Sequence, residues 1–249
     1  MSLDVATTGT FATVEARLVD SRAHEDDGLR RAAWPSGRRG GRWLAVLALF
    51  ALVSVTVEVD GWSGLDHAVS DWASSHRVAW LWNAAKVVFD VATPEVALPI
   101  TLAIGLLVAW RQHRWDIAAR AVIQIGLVVA SVLLLKPLLA VPGPTRNSLG
   151  DHGGAFPSGH TTSTVVCIAL ILAWLGRPRG MGARVAGTAA FVGIVAGSVI
   201  YLSYHYVSDV VGGVLLGVLI LTLPFPAFLR RREPGEATAV GRADRPPVP

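Results

Sequence analysis

Ala155-Phe156-Pro157-Ser158-Gly159-His160-Thr161 stands where a polar, glycine-rich stretch gives way to a long apolar run. Ser158 falls at the position of a helix N-cap, and Pro157 marks the last point at which the chain is not yet helical. A helix starting here directs the amides of Gly159, His160 and Thr161 outward with the positive end of its dipole, an anion site with an imidazole beside it. The same residues equally suit a plain capped helix carrying an incidental histidine, because Ser-Gly is common turn chemistry. The chain on either side has to decide between the two.

Outward from this stretch the chain is apolar. Of 249 residues, 52% are hydrophobic and only 16% charged. That balance describes an all-α, polytopic membrane protein and not a soluble domain. The net charge of +4 comes from arginines gathered at the ends of apolar runs, where they orient helices in a bilayer, so a nucleic-acid partner is set aside. Cys167 is the single cysteine, which excludes an intrachain disulfide and a thiolate metal cluster. Twenty arginines against two lysines point to a GC-rich, bacterial coding bias.

Six apolar stretches are long enough to read as spans: 43–59, 94–110, 117–135, 161–175, 185–202 and 210–223. Between the first two, residues 65–78 pattern as an amphipathic helix lying in the membrane interface, and 81–91 as a further surface helix. Pro137 is expected to close the third span directly after Lys136. Residues 1–42 and 230–249 read as disordered cytoplasmic tails flanking a membrane domain at 43–229. Basic clusters at 30–42, 111–114, 177–184 and 230–232 then share one side of the membrane, which puts both termini in the cytoplasm.

This topology delivers Lys136, Ser158, Gly159, His160, His205 and Asp209 to the outer boundary, although they come from three separate stretches. Ionisable groups at span ends that face a bundle interior are more often functional than incidental. His205 and Asp209 are four apart at the start of the sixth span, so the carboxylate can hold one ring nitrogen and leave the other free. That is the arrangement of a nucleophile and its orienting group. No cluster of metal-ligand type is visible, so metal-independent chemistry without a cofactor is expected.

At this point the residues resemble the type 2 phosphatidic acid phosphatase superfamily, membrane lipid phosphatases related to the vanadium haloperoxidases. Lys136 and Pro144 match the ends of that family's first motif, Pro157-Ser158-Gly159-His160 the whole of its second, and Ser198, His205 and Asp209 its third in register. The chain departs from the family at two places, Gly143 and Val199, where the motifs carry phosphate-binding arginines. The resemblance implies six spans and a metal-independent phosphatase acting on a lipid phosphate or pyrophosphate at the outer face. His205 would attack phosphorus, Asp209 would orient it, and His160 would protonate the leaving oxygen. Lys136, Ser158 and Gly159 would bind phosphoryl oxygens. Outside the motif match, Arg146, three residues past Gly143 in the same loop, is either a stand-in guanidinium or a solvated loop charge. The competing expectation is a weakened or inactive relative that binds lipid headgroups. A transporter is less well supported, because no internal repeat or paired half-helix is present.

Overall fold

The computed structural model describes residues 38–144, 154–175 and 180–223, and Gly41–Leu223 form one compact unit. Eight helices and no strand occur among the described residues. They are α1 (Arg38–Glu58), α2 (Ser63–Ser75), α3 (Ala79–Val91), α4 (Pro94–Gln112), α5 (Trp115–Leu139), α6 (Gly159–Leu175), α7 (Met181–Tyr201) and α8 (Val207–Leu221). Four of them, α1, α4, α5 and α7, are long and apolar enough to cross a membrane, and α6 and α8 are shorter apolar helices. The all-α, polytopic membrane architecture holds. The tails expected at 1–42 and 230–249 lie outside the described residues, apart from the first turn of α1, which begins at Arg38.

α6 is the hub, packed against α4, α5, α7 and α8. The core around it is built from Leu98 of α4, Ile125 and Val128 of α5, Val166, Cys167 and Leu170 of α6, and Leu216 and Ile220 of α8. Close approach of α8 to α6 depends on glycine. A Cβ on Gly212 would lie 2.3 Å from the ring of Phe156, and one on Gly213 would lie 2.7 Å from the Ser158 carbonyl. That contact lets the Thr162 hydroxyl donate across the joint to the Gly213 carbonyl at 3.1 Å. The far end of α8 is held in the same manner, where the buried Gln124 amide of α5 donates to the carbonyl of Ile220 at 3.2 Å. A carbonyl at a helix end has no partner in its own helix, and Gln124 supplies one.

Two expectations are corrected. Pro137 does not close the third span: α5 runs on to Leu139 and ends where Ala140 adopts a left-handed φ of 48°. A proline in the last turn removes one ladder bond but leaves the rest of the turn intact, and Ala140 donates its N–H to the Lys136 carbonyl at 2.8 Å. The amphipathic helix ends at Ser75, and its buried positions are Asp66 and Ala73, while Leu65 and Trp72 lie exposed on its other side. A carboxylate is therefore on the face turned to the protein.

Candidate active site

The starts of α4, α6 and α8 and the ends of α5 and α7 meet at one end of the bundle. Ser158 caps α6 as expected: its hydroxyl accepts from the Thr161 N–H at 3.4 Å and from the Thr161 hydroxyl at 3.1 Å. The side chain is fully buried, so its hydroxyl is committed to the helix end. Its own N–H donates to the backbone carbonyl of Asp209 at 2.9 Å. One backbone bond thus joins the histidine-bearing turn of α6 to the first turn of α8.

His205 sits on the short turn between α7 and α8. The Val199 carbonyl accepts the amides of Tyr204 at 3.0 Å and His205 at 3.3 Å, which folds the turn back over the end of α7. Ser203 within it has a φ of 56°, uncommon for a residue with a side chain, and its hydroxyl accepts from Arg77 Nη2 at 3.1 Å. His205 Nδ1 lies 3.2 Å from Asp209 Oδ2, both side chains buried. The same oxygen accepts the Tyr206 N–H at 2.9 Å, closing the first turn of α8. Asp209 therefore does two jobs, capping its helix and holding one nitrogen of His205, and the imidazole keeps Nε2 for other chemistry. Burial raises the Tyr206 hydroxyl above its ordinary pKa, and the charges of Asp66 and Asp209 add to the effect, so the phenol stays protonated.

His160, on the first turn of α6, stacks on Phe89 of α3 with ring centroids 4.1 Å apart, and Phe89 in turn touches Tyr204 at 4.8 Å. Among the described residues His160 Nε2 and Asp209 Oδ1 are buried polar atoms with no protein partner. Such atoms cost stability unless a ligand or water answers them, and here both belong to the site. Lys136, Gly159 and His160 line the polar end of a cavity of about 510 Å³ between α4 and α5, together with Thr93 and Glu95. Its walls are apolar, with Leu98, Leu102, Val128 and Val132 among them. The hydroxyl of Thr93 donates to the Glu95 carboxylate at its rim.

The structure therefore brings His205 and Asp209 into a pair, ties Ser158 to them through the backbone, and sets Lys136, Gly159 and His160 around one cavity. Arg146 lies outside the described residues. A PAP2 superfamily model matches residues 78–233. The chain belongs to the PAP2 superfamily. Phosphatidylglycerophosphatase B of Bacillus subtilis (strain 168) is 25% identical over 198 residues, which cover 72% of this chain and 91% of that one. In fold, the chain is similar to the crystal structure of a transmembrane PAP2 type phosphatidylglycerolphosphate phosphatase from Bacillus subtilis. The TM-score is 0.62 at 21% identity, with 73% of this chain and 92% of the other covered.

Within this PAP2 chain the environment of Val199, where the resemblance expects an arginine, is visible. Val199 is fully buried in an apolar cluster with Val195 and Val210, and Val88 and Phe89 pack against them. Apolar side chains pack around that position. Phe89 and Asp66 were not legible as site residues from the sequence. An aromatic on a surface helix and an acid within an amphipathic pattern are both ordinary, and only the packing of α2 and α3 against α7 and α8 brings them near the histidines.

Proposed function

We propose that the chain is an integral membrane phosphatase that hydrolyses a lipid phosphate or pyrophosphate through a phosphohistidine on His205. The observation that carries this reading is the cavity. It presents Lys136 and His160 at one end and apolar walls along its length, a match to a molecule with an anionic head and a hydrocarbon tail. Val129 and Leu133 line it and are exposed on the flank of the bundle, so it opens sideways between α4 and α5. The phosphatidylglycerophosphatase of Bacillus subtilis supports phosphatidylglycerol phosphate as the first substrate to test.

In this mechanism His205 Nε2 attacks phosphorus while Asp209 holds Nδ1 and stabilises the charge that develops on the ring. The bond from phosphorus to the lipid oxygen breaks, and that oxygen takes a proton from His160. His160 then removes a proton from water, the water oxygen attacks phosphorus, and the bond from phosphorus to Nε2 breaks to free inorganic phosphate. Lys136 and the backbone at Gly159 stabilise the phosphoryl oxygens, and Ser158 acts by keeping the end of α6 in place. No step uses a metal ion. Basic residues at the opposite ends of the helices, including Arg42, Arg111, Arg114 and Arg184, orient the site toward the outside of the cell.

A second reading, a headgroup-binding member without turnover, is favoured by the buried Val199, since an arginine contact at a phosphoryl-transfer site is worth roughly 10³–10⁵ in rate. Purified protein offered phosphatidylglycerol phosphate, phosphatidic acid and a polyprenyl pyrophosphate separates the two. Phosphate release that disappears in His205→Ala supports the phosphatase. Binding without release from any of the three, with release gained in a Gly143→Arg, Val199→Arg double variant, supports the second reading.

A further inference from the structure

α2 is not a span, yet it reaches into the turn that carries His205. Asp66, only 5% exposed, accepts the Ser208 N–H with Oδ1 at 3.0 Å and the Ser208 hydroxyl with Oδ2 at 2.6 Å. Both carboxylate oxygens thus engage one residue, 142 positions away in sequence and immediately before Asp209. The Ser208 amide is one of the orphan donors of α8's first turn, and its partner comes from another helix. The neighbouring residue adds a second tie: the His67 ring stacks on Tyr206 at 5.5 Å. At the end of the same helix, the Tyr201 hydroxyl accepts the Val78 N–H at 2.7 Å and donates to the His76 carbonyl at 3.1 Å.

We propose that Asp66 is a positioning residue for the His205–Asp209 pair, acting through Ser208 to fix the rotation and height of the first turn of α8. The proposal rests on His205 as the nucleophile. Asp209 makes its bonds to His205 Nδ1 and Tyr206 N–H from the third residue of that turn, so a turn that frays or rotates moves Oδ2 away from the imidazole. A carboxylate at a helix start also complements the positive end of the dipole, and here it does so without touching His205, leaving Asp209 as the residue paired with the ring. A misplacement of about 1 Å at a reacting group lowers rate by roughly 10²-fold, whereas the apolar cavity that holds the lipid tail lies on α4 and α5 and is not disturbed. The effect therefore belongs in kcat and not in KM.

The test compares Asp66→Ala, Asp66→Asn and Asp71→Ala in purified full-length protein with phosphatidylglycerol phosphate in mixed micelles. Asn keeps an oxygen for the Ser208 N–H, whereas Asp71 is an exposed acid on the same helix. The expected result is a kcat lowered about 30-fold or more in Asp66→Ala with KM within about threefold, recovery to within about fivefold in Asp66→Asn, and no change in Asp71→Ala. A kcat within about twofold of wild type in Asp66→Ala, or no recovery in Asp66→Asn, overturns the proposal. Should Asp66→Ala fail to fold, Ser208→Ala removes the 2.6 Å bond alone: a kcat lowered several-fold upholds the proposal and an unchanged kcat overturns it. Protein labelled with ¹⁵N-histidine gives a readout that needs no turnover. The 3.2 Å contact with Asp209 leads us to expect the proton of wild-type His205 on Nδ1, and Asp66→Ala should mix the tautomers. An unchanged His205 tautomer in Asp66→Ala overturns the positioning role. If the wild type releases no phosphate, the phosphatase reading fails on its own and the spectrum still decides the role of Asp66.

Discussion

α7 and α8 follow one another in the chain and are built to different rules. α7 has 21 residues and four buried side chains, with Val185, Phe191 and Ile194 exposed along its flank. α8 has 15 residues, nine of them buried, and both ends are tied by side chains from distant helices, Asp66 at the start and Gln124 at the finish. At ~1.5 Å per residue α8 is only about 22 Å long, short of the roughly 30 Å hydrocarbon core. A helix can be that short when protein and not lipid surrounds it, because its polar ends then meet side chains. The same holds for α6, whose first turns bury Thr161, Thr162, Ser163 and Thr164. α6, which carries His160, and α8, which follows His205 and carries Asp209, are thus apolar helices set apart from the four longer spans by their length.

The largest test of this contrast removes the chemistry that α8 supports. His205→Ala should abolish phosphate release to below about 10⁻³ of wild type and eliminate any trapped phosphoenzyme, whereas His160→Ala should retain turnover of substrates with good leaving groups. Phosphate release together with acid-quench labelling of the protein measures both. Retained turnover in His205→Ala would move the nucleophile elsewhere.

A second test makes the same change in the two helices and expects opposite signs. Gly212→Ala places a methyl against the buried Phe156 ring and should destabilise the fold by about 1–3 kcal/mol. Gly193→Ala on α7 meets nothing within 4 Å and replaces a poor helix former, so it should stabilise by up to ~1 kcal/mol. Thermal unfolding in detergent gives both numbers, and equal shifts would erase the distinction between the helices. The smallest expected effect lies on α3. Lys86 and Asp90 pair at 3.4 Å with both side chains more than half exposed, so Lys86→Ala should change stability by less than about 0.5 kcal/mol.

How far the sequence could be read follows from the same contrast. Long helices such as α4 and α5 announce themselves by hydropathy, and their expected spans fall inside the observed helices. His160, His205, Asp209 and Lys136 were legible because their spacing places them at helix ends, where ionisable groups stand out against apolar runs. Asp66 was not, because periodicity assigns an acid in an amphipathic helix to water and cannot see that Ser208 would be waiting on the inner face. Phe89 and the glycines of α8 escaped for a related reason: stacking and close approach are properties of two elements at once. Pro137 is a weaker stop than its sequence position suggests, because a proline this close to a helix end disrupts little, and Leu138 and Leu139 still follow it in α5.

The sideways opening between α4 and α5 sets how turnover would be counted. A molecule that reaches Lys136 along this route exchanges with the surrounding bilayer, so occupancy follows its mole fraction among the lipids and not its amount per litre. Adding inert phospholipid to vesicles at fixed total substrate would slow the reaction, while diluting the same vesicles with buffer would leave the rate per protein unchanged.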